Sequence, residues 1–538
     1  MCPGGLPNLV ITGFMGAGKT AVAMEVARRL GRRFADMDAE IELRAGKPIA
    51  RIFTEDGEAA FRQIEADLCR ELSARQGLVI ATGGGTLTNA DNRAAMTRTG
   101  TVICLRCDLD GIMQRLGAGA GVKRPLLAGP HPRAEVRRLM AERRGAYAAI
   151  PWQVDTTELS IPEVADRVIK LSGAVSLTVR HPQGEYPIHI GAGLLSYVGG
   201  ALSAAGADER TRVVIVSNAT VKRRHSGPVL QSLQSAGFRV STCNIPDGEQ
   251  NKTLDTVSTL YNRLLATGLD RGGTVLALGG GVTGDIAGFA AATFLRGVRF
   301  VQVPTTLLAM ADASVGGKTG VDLPQGKNLV GAFKQPALVI VDPSVLASLP
   351  DAEVNSGMAE VIKHAVIGAP DLFEELEPTP RSPGRPLSTS QLARAIRVKI
   401  DVVEKDPYEQ GRRAVLNLGH TIGHALETLS GFWLRHGEAV GIGMLAAARI
   451  AVRLDLADQS VADRIEWTLL AWGLPVLCPS GRFGPDDIYQ ALAYDKKRQG
   501  RTLRWVLPYA IGDVRVVDHV PPDAVLAVLK EMGAASAP

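Results

Sequence analysis

Two groups of residues in this 538-residue chain have the types and spacing for chemistry. Near the N-terminus, Gly13-Phe14-Met15-Gly16-Ala17-Gly18-Lys19-Thr20 follows the apolar run Leu9–Ile11. A strand, a glycine loop and a helix in that order cradle a nucleoside triphosphate. Backbone amides around Gly16 and Gly18 meet the phosphates together with Lys19, and the Thr20 hydroxyl holds Mg2+. Far downstream stand Glu360, His420, His424 and His436. Glu360, His420 and His436 supply the one carboxylate and two imidazoles of a catalytic metal site that keeps a position open for substrate. His420 and His424 are four residues apart and share a helix face, so spacing alone allows both as ligands. It equally allows His424 to pack or hydrogen-bond within its helix.

The elements that must position these residues read as three blocks. From Leu9 to about Leu171, strand-like apolar runs alternate with amphipathic helical stretches, which predicts a parallel sheet covered by helices with its ligand above the strand ends. A new start follows near Ser172-Gly173-Ala174, with an alternating strand over Ser176–Val179. Further strand signals lie at Val213–Val216, Val275–Leu278, Phe300–Val303 and Leu338–Val341, after which helical patterns take over. The fold class is therefore α/β, with boundaries expected at 1–172, 173–345 and 346–538. The blocks are a P-loop domain with a parallel sheet, a second α/β domain and a mainly α-helical domain. Pro378, Pro380, Pro383 and Pro386 suit an exposed loop within the last block.

Composition narrows the function classes. A 46% apolar share fills large cores, and a net charge of +5 offers no polyanion-binding surface, so no nucleic-acid partner is expected. No apolar run reaches the roughly 18 residues of a membrane span, and no leader-like segment opens the chain. We expect neither membrane insertion nor export. Six irregularly spaced cysteines argue for a reducing, cytoplasmic setting. Cys104 and Cys107 form a C-x-x-C inside a strand-like run, without the second pair a zinc site needs.

In the first block, Asp36 and Asp38 follow the second strand signal, Arg62 lies on a helix, and Gly83-Gly84-Gly85 closes the strand Leu78–Ala81. All can converge with Lys19 above the sheet. A triphosphate loop alone leaves GTPases, ATPases and small-molecule kinases open, and the carboxylates could simply cap a helix. The combination of Asp36-Met37-Asp38, Phe61-Arg62, the triple glycine and Lys123-Arg124-Pro125-Leu126-Leu127 resembles shikimate kinase over roughly residues 8 to 171. That resemblance implies ATP and Mg2+ as cofactors, with Thr20 and Asp36 ordering the metal shell. It implies shikimate held by Asp38, Arg62, Gly84, Gly85 and Arg143, with both arginines on the carboxylate and Asp38 on the ring hydroxyls. Asp38 would take or orient the proton of the attacking hydroxyl, and Arg124, on a closing lid, would offset charge on the transferring group. Gly117–Gly121 departs from the lid sequence of that family.

Downstream, Gly279-Gly280-Gly281-Val282-Thr283-Gly284 satisfies a literal G-x-G-x-x-G, yet no acidic residue follows at about 20 positions, so an ordinary dinucleotide fold is not supported. Glycine amides there can still approach a pyrophosphate, and Asp285 is a candidate cofactor contact. Gly316-Gly317-Lys318-Thr319 imitates a second triphosphate loop but fails on spacing, because Asp312 occupies the first-glycine position. Lys363, one turn after Glu360, reads by itself as a surface charge.

The ordered series Pro246-Asp247-Gly248-Glu249-Gln250-Asn251-Lys252, Gly279 to Asp285, Pro304-Thr305-Thr306, Asp312, Lys318, Lys327-Asn328, Met358-Ala359-Glu360-Val361-Ile362-Lys363, Asn417-Leu418-Gly419-His420 and His436-Gly437-Glu438 resembles 3-dehydroquinate synthase across about residues 176 to 515. The resemblance implies an NAD-binding α/β domain followed by a helical metal-binding domain. NAD+ would be met by Glu249, Lys252, Gly280, Gly281, Val282, Asp285, Thr305, Thr306 and Lys327. Zn2+ or Co2+ would be held by Glu360, His420 and His436, which turns His424 into a substrate-facing acid or base. Lys318, Asn328, Asn417, His424 and Lys496 or Lys497 would surround the substrate phosphate, and Lys399 and Arg413 its carboxylate. Asp312, Lys363 and Glu409 would complete the polar site, and Arg296 would reach in from the other subunit of a homodimer.

The implied substrate is 3-deoxy-arabino-heptulosonate 7-phosphate. A ring hydroxyl is oxidised, phosphate leaves, the ketone is reduced back and the opened ring recloses, so NAD+ is regenerated. A related sugar phosphate cyclase and a metal-dependent alcohol dehydrogenase are rivals for this half; Lys399, Arg413 and Asn417 favour a carboxylated substrate. A kinase half that only binds ATP and regulates its neighbour is the rival for the first. The two implied reactions are not consecutive, so co-expression in a fixed ratio explains the fusion more simply than transfer of an intermediate.

Overall fold

The computed structural model describes residues 6–118, 131–377, 387–409, 411–431, 433–479, 481–499 and 504–535, less the side chains at 118 and 493–499. They form two compact units. One comprises Met1–Ala174, Gly191–Thr211 and Pro228–Arg239, and the other Val175–Ile190, Arg212–Gly227 and Val240–Pro538.

The first unit is built on a five-stranded parallel sheet of β1 (Asn8–Gly13), β2 (Arg33–Asp36), β3 (Leu78–Ala81), β4 (Gly100–Arg106) and β5 (Trp152–Asp155), in the order β2-β3-β1-β4-β5. β1 lies at the centre and is buried throughout, as a strand covered on both faces must be. Val10, Ile80 and Val102 pack with Phe61, Leu68 and Leu72 from the helix Gly57–Ala74. The chain crosses over β1 between β3 and β4, which opens a crevice above the strand ends where the glycine loop leaves β1. Gly13 must be glycine: its φ is 141°, and a Cβ would run into the Leu105 carbonyl oxygen.

The second unit carries a seven-stranded sheet. Its strands β6 (Val175–His181), β7 (Gly184–Ile190), β8 (Arg212–Ser217), β9 (Arg239–Asn244), β10 (Thr274–Gly279) and β11 (Arg299–Pro304) are joined by β14 (Leu338–Val341), after a separate hairpin of β12 (Lys318–Leu323) and β13 (Gly326–Phe333). The order is β6-β7-β14-β11-β10-β8-β9, with β6 antiparallel to β7 at one edge. Each strand signal read from the later sequence falls inside one of these strands. The helical region follows, with helices Asp351–Gly368, Thr389–Lys405, His420–Leu429, His436–Arg453 and Gln459–Ala471. It also contains a hairpin of β15 (Trp505–Ala510) and β16 (Asp513–Val517) that the helical pattern gave no reason to expect.

Helix Asp351–Gly368 is buried all round from Ser356 to Ile367, and it carries Glu360, Lys363 and His364. Two backbone contacts bring the other histidine-bearing helices together. A Cβ on Gly443 would run into the Gly419 carbonyl oxygen, and one on Gly423 would sit 3.1 Å from the Ala439 carbonyl oxygen. Gly437, next to His436, lies similarly against the Ser356 backbone. Among the described residues, no helix is long and apolar enough to cross a membrane.

Candidate active sites

In the first unit, the loop after β1 winds through Gly16 at φ 79° and Gly18 at φ 92° into helix Lys19–Leu30. Left-handed residues here turn successive amide N–H groups toward one point, as a phosphate needs. Lys19 Nζ donates to the Phe14 carbonyl 3.2 Å away, which arches the side chain back over the loop. Thr20 Oγ1 donates to Asp36 Oδ2 at 2.8 Å, so the two proposed Mg2+ residues are already joined. Asp36 Oδ1 also accepts from the amides of Asp38 and Ala39, so Asp36 caps its helix and faces Thr20 at once.

Asp38 keeps part of its surface open to solvent. Desolvation by the surrounding protein still pushes its carboxyl above the ordinary range despite the nearby Lys19. Its Oδ1 lies so close to Gly83 that a Cβ there would come within 2.8 Å. Arg62 is held by Glu65 at 2.9 Å and Glu58 at 3.1 Å, and its guanidinium lies against Gly85. Arg143 Nη1 donates to the Gly84 carbonyl at 3.1 Å, beside Phe14. The structure thus gathers Lys19, Thr20, Asp36, Asp38, Arg62, Gly84, Gly85 and Arg143 over the ends of β1 and β3. This arrangement of amides, ammonium and a hydroxyl–carboxylate pair fits a triphosphate with Mg2+. Arg124 lies outside the described residues. Cys104 and Cys107 are buried, and burial pushes the Cys104 thiol up to about 12, as expected of packing residues.

Sequence reasoning passed over two residues here. Glu65 is buried and binds both Arg62 and the Thr86 hydroxyl, the latter at 2.6 Å. Tyr147 donates its hydroxyl to the Gly84 carbonyl at 2.5 Å. Helical spacing was the available signal, since Glu65 is three residues from Arg62 and Tyr147 four from Arg143.

In the second unit, Glu360, His420 and His436 place one ligand atom each within 4.8 Å of one another. Glu360 Oε1 is 3.3 Å from His436 Nε2 and 3.6 Å from His420 Nε2. His420 Nδ1 donates to the Leu418 carbonyl at 3.1 Å, and this fixes the tautomer that leaves Nε2 with its lone pair. Burial, with Lys363 adding to it, holds His420 well below its ordinary pKa, so it is neutral. Burial alone would do the same to His436, but Glu360 and Glu427 outweigh it and raise that imidazole to about 10. Two Nε2 atoms and a buried carboxylate fit a divalent Zn2+ or Co2+ ion, which would displace the His436 proton.

Around this triad lies a buried ion cluster. Lys363 pairs with Glu360, and it reaches Asp312 at 4.0 Å. Lys399 Nζ binds Asp312 twice, at 2.7 Å to Oδ1 and 2.5 Å to the backbone carbonyl. His364, which sequence reasoning did not single out, is fully buried 3.5 Å from Asp312. Burial lowers Lys399 to about 8, with Asp312 opposing that fall. Burial also disfavours the Asp312 charge, but Lys399 and Lys363 outweigh it and hold the carboxyl well below its usual range. Arg413 is buried, donating to the Pro407 carbonyl at 2.8 Å. Lys318 and Glu409 form a more exposed pair at 2.5 Å.

Toward the sheet, Gly280 caps helix Gly281–Thr293. A Cβ on Gly280 would stand 3.1 Å from Thr306 Cγ2, so the missing side chain leaves room beside Thr306. Thr305 N–H donates to the Gly279 carbonyl at 2.9 Å, holding the two glycine and threonine turns together. Buried Lys252 pairs with Asp285 at 2.6 Å and donates to Asn328 Oδ1 at 2.5 Å. Asn328, expected at the substrate phosphate, thus accepts a hydrogen bond from Lys252, which is expected at NAD+. Glu249 and Lys327 approach each other at 4.0 Å, and Val282 packs on the sheet core. Helix-start amides, glycines and threonine hydroxyls fit a dinucleotide pyrophosphate.

His424 is at the rim, with a side chain 55% exposed and Nε2 4.0 Å from Glu427. Asn417 is exposed one turn before the helix that bears His420. Arg296 lies on an exposed left-handed turn with φ 65°. Lys496 and Lys497 fall on helix Pro485–Gln499, but their side chains are outside the described set.

Family models match three stretches: shikimate kinase at 15–172, and the N-terminal and C-terminal parts of 3-dehydroquinate synthase at 242–356 and 357–498. A 3-dehydroquinate synthase of Synechococcus is 48% identical over 363 residues, covering 66% of this chain and 98% of that protein. The chain belongs to the 3-dehydroquinate synthase family. A Nostoc 3-dehydroquinate synthase is 47% identical with 66% and 99% coverage. The chain therefore unites two enzyme activities of the shikimate pathway, a shikimate kinase and a 3-dehydroquinate synthase.

The fold of the synthase half is shared with other solved synthases. A 2-deoxy-scyllo-inosose synthase complexed with carbaglucose-6-phosphate, NAD+ and Co2+ has a TM-score of 0.60 at 29% identity, covering 66% of this chain and 100% of that one. A 2-epi-5-epi-valiolone synthase of Streptomyces hygroscopicus with NAD+ and Zn2+ bound has a TM-score of 0.58 at 29% identity, with 64% and 96% coverage.

Proposed function

We propose that the kinase half transfers the γ-phosphoryl group of ATP to shikimate, giving shikimate 3-phosphate. The synthase half converts 3-deoxy-arabino-heptulosonate 7-phosphate to 3-dehydroquinate with release of phosphate. Lys19 and the loop amides hold the ATP phosphates, and Thr20 and Asp36 order Mg2+. Arg62 and Arg143 clamp the shikimate carboxylate. Asp38, whose carboxyl is raised above its ordinary range by desolvation, accepts the hydroxyl proton, and Arg124 closes over the transferring group.

In the synthase half, Glu360, His420 and His436 hold Zn2+ or Co2+, and the Lys252–Asp285 side of the site holds NAD+ with Glu249, Gly280, Gly281, Val282, Thr305, Thr306 and Lys327. When bound, these groups supply Lewis acidity and reversible hydride exchange. Lys399 and Arg413 orient the substrate by its carboxylate. Lys318, Asn328, Asn417, His424 and Lys496 or Lys497 surround its phosphate, with Arg296 supplied by the second subunit of a homodimer. Asp312 and Glu409 hold Lys399 and Lys318 in place, and Lys363, paired with Glu360, completes the polar site.

The observation that carries this reading is the pair of buried cations beside the metal triad. Lys399 and Arg413 are each at most 5% exposed, and a substrate carboxylate would match them. The carbaglucose-6-phosphate in the related 2-deoxy-scyllo-inosose synthase has no carboxylate to offer such cations. Domain boundaries at 1–172, 173–345 and 346–538, a cytoplasmic site of action, and small molecules as the only partners beyond the homodimer complete the proposal.

Phosphate release from the heptulosonate phosphate, followed with and without metal and catalytic NAD+, tests the synthase half. Release that needs both, with no net NADH, is expected. No release from metal-loaded protein would assign the half to another sugar phosphate cyclase. Steady NADH formation from an alcohol would make it a dehydrogenase.

A further inference from the structure

Glu427 is a buried carboxylate that the proposed reaction leaves without a task. It lies near the end of helix His420–Leu429, with its side chain 8% exposed. A carboxylate is not stable there unless its oxygens are matched. Each oxygen has its own partner. Oε2 is 3.5 Å from His436 Nδ1, and Oε1 is 3.9 Å from Lys327 Nζ. His424 Nε2, at the rim, is 4.0 Å from Oε2.

The two histidines of the triad are then held in parallel ways. His420 gives its Nδ1–H to the Leu418 carbonyl and shows Nε2 to Glu360. His436 gives its Nδ1–H to Glu427 and shows Nε2 to the same Glu360 oxygen. A ring tied at Nδ1 can neither flip nor change tautomer without losing that bond, and a carboxylate partner makes the other nitrogen a stronger donor to a metal. Resting on the metal-site reading above, we propose that Glu427 is a positioning residue: it fixes His436 through Nδ1 and so sets both the orientation and the ligand strength of Nε2. Its spacing fits this task, since Glu427 lies seven residues after His420 on the same helix face.

The test is metal affinity, measured on the full chain by competition with a chromogenic chelator for Zn2+ and by the visible absorption of bound Co2+. Wild type is expected to bind one ion per chain at this site. Glu427→Ala is expected to weaken binding by about 100-fold and to alter the Co2+ spectrum. Glu427→Gln keeps an oxygen to accept from Nδ1–H but loses the charge, so about a 10-fold loss is expected. Unchanged affinity in either variant overturns the proposal, and the glutamine variant decides alone if the alanine variant does not fold. Two ions per chain in wild type, with only the second lost in Glu427→Ala, also overturns it, because Glu427 would then be a ligand with His424 of an outer site. His420→Ala separates the two levels: if it leaves binding intact, the metal-site reading itself fails. If it abolishes binding while Glu427→Ala does not, only the role of Glu427 fails.

Discussion

Asp312→Asn probes how the buried ion cluster keeps Lys399 charged. Lys399 Nζ lies 2.7 Å from Asp312 Oδ1, and burial has already lowered the ammonium to about 8. At that separation and an effective dielectric constant of about 20, the Coulomb attraction is about 6 kcal/mol. At pH 7, a pKa of about 8 favours the charged form by only about 1.4 kcal/mol. Removing the carboxylate therefore removes more than the margin, and Lys399 becomes neutral at pH 7. A metal ion at Glu360 adds to that tendency. The share of the stability loss at pH 7 that comes through Lys399 is capped near 1.4 kcal/mol, on the order of one pKa unit, because Lys399 sheds its proton instead of remaining an unpaired buried charge. That is less than the roughly 3–5 kcal/mol of a broken pair whose charge persists.

The sign for Lys399 follows from its depression below 10.5. Its contribution is fully favourable above 10.5 and is lost as pH falls through about 8. In the assay, KM for the heptulosonate phosphate is measured by phosphate release between about pH 5.5 and 9, a span chosen to bracket the shifted pKa. Wild-type KM should rise as pH passes about 8, where Lys399 loses the charge that meets the substrate carboxylate. In Asp312→Asn the rise should occur below pH 7, and KM at pH 7 should be about 10- to 100-fold higher, the worth of a charge-assisted hydrogen bond. If the variant keeps its break near 8, Asp312 does not sustain the Lys399 charge and the electrostatic argument is wrong.

Three further outcomes are expected. The apo protein should release about one proton per metal ion bound near pH 8, because His436 sits at about 10 between Glu360 and Glu427; calorimetry in buffers of different ionisation enthalpy reads this, and zero release would refute it. The same raised pKa stabilises the apo fold fully below about 6.5 and loses its effect as pH climbs through about 10. Lys19→Ala should reduce phosphoryl transfer by at least about 100-fold and leave phosphate release from the heptulosonate unchanged, so a parallel loss in folded protein would point to a regulatory kinase half. Gly443→Ala should cost about 1–3 kcal/mol in urea unfolding, since its methyl meets the Gly419 carbonyl oxygen; an unchanged midpoint would show that the helices can separate freely.

Much of the architecture was legible because the strands are apolar runs with glycine or proline close to their ends. β3 and β14 coincide with the runs Leu78–Ala81 and Leu338–Val341. The triphosphate loop was legible because its geometry demands glycine at fixed offsets. The metal triad was harder, since only the fold brings Glu360 to His420 and His436 across separate helices. Spacing alone left His424 level with His420. The ring contacts distinguish them: His420 faces Glu360 from a mostly buried position, while His424 is at the rim. Residues that act through others left the faintest marks. Lys252 gives no sign in sequence that it is buried against Asp285, and His364 reads as one more apolar-face histidine. The β15–β16 hairpin was hidden because Pro508 interrupts its first strand and the pair follows a long helical stretch.

The contact of Gly443 with Gly419, and of Gly423 with Ala439, has a bearing on how this site could be altered. Where two helices meet through side chains, exchanging a leucine for a valine moves them by a fraction of an ångström. Here main chain rests on main chain, so the span between His420 and His436 contains no adjustable spacer. A library that randomised the apolar positions around the triad would vary hydration, dielectric and breathing, while the gap the ion must bridge stayed the same. Preference for an ion of a given radius is in this sense written into the helix crossing, and only a change at the glycines, or in what tethers the rings, would reset it.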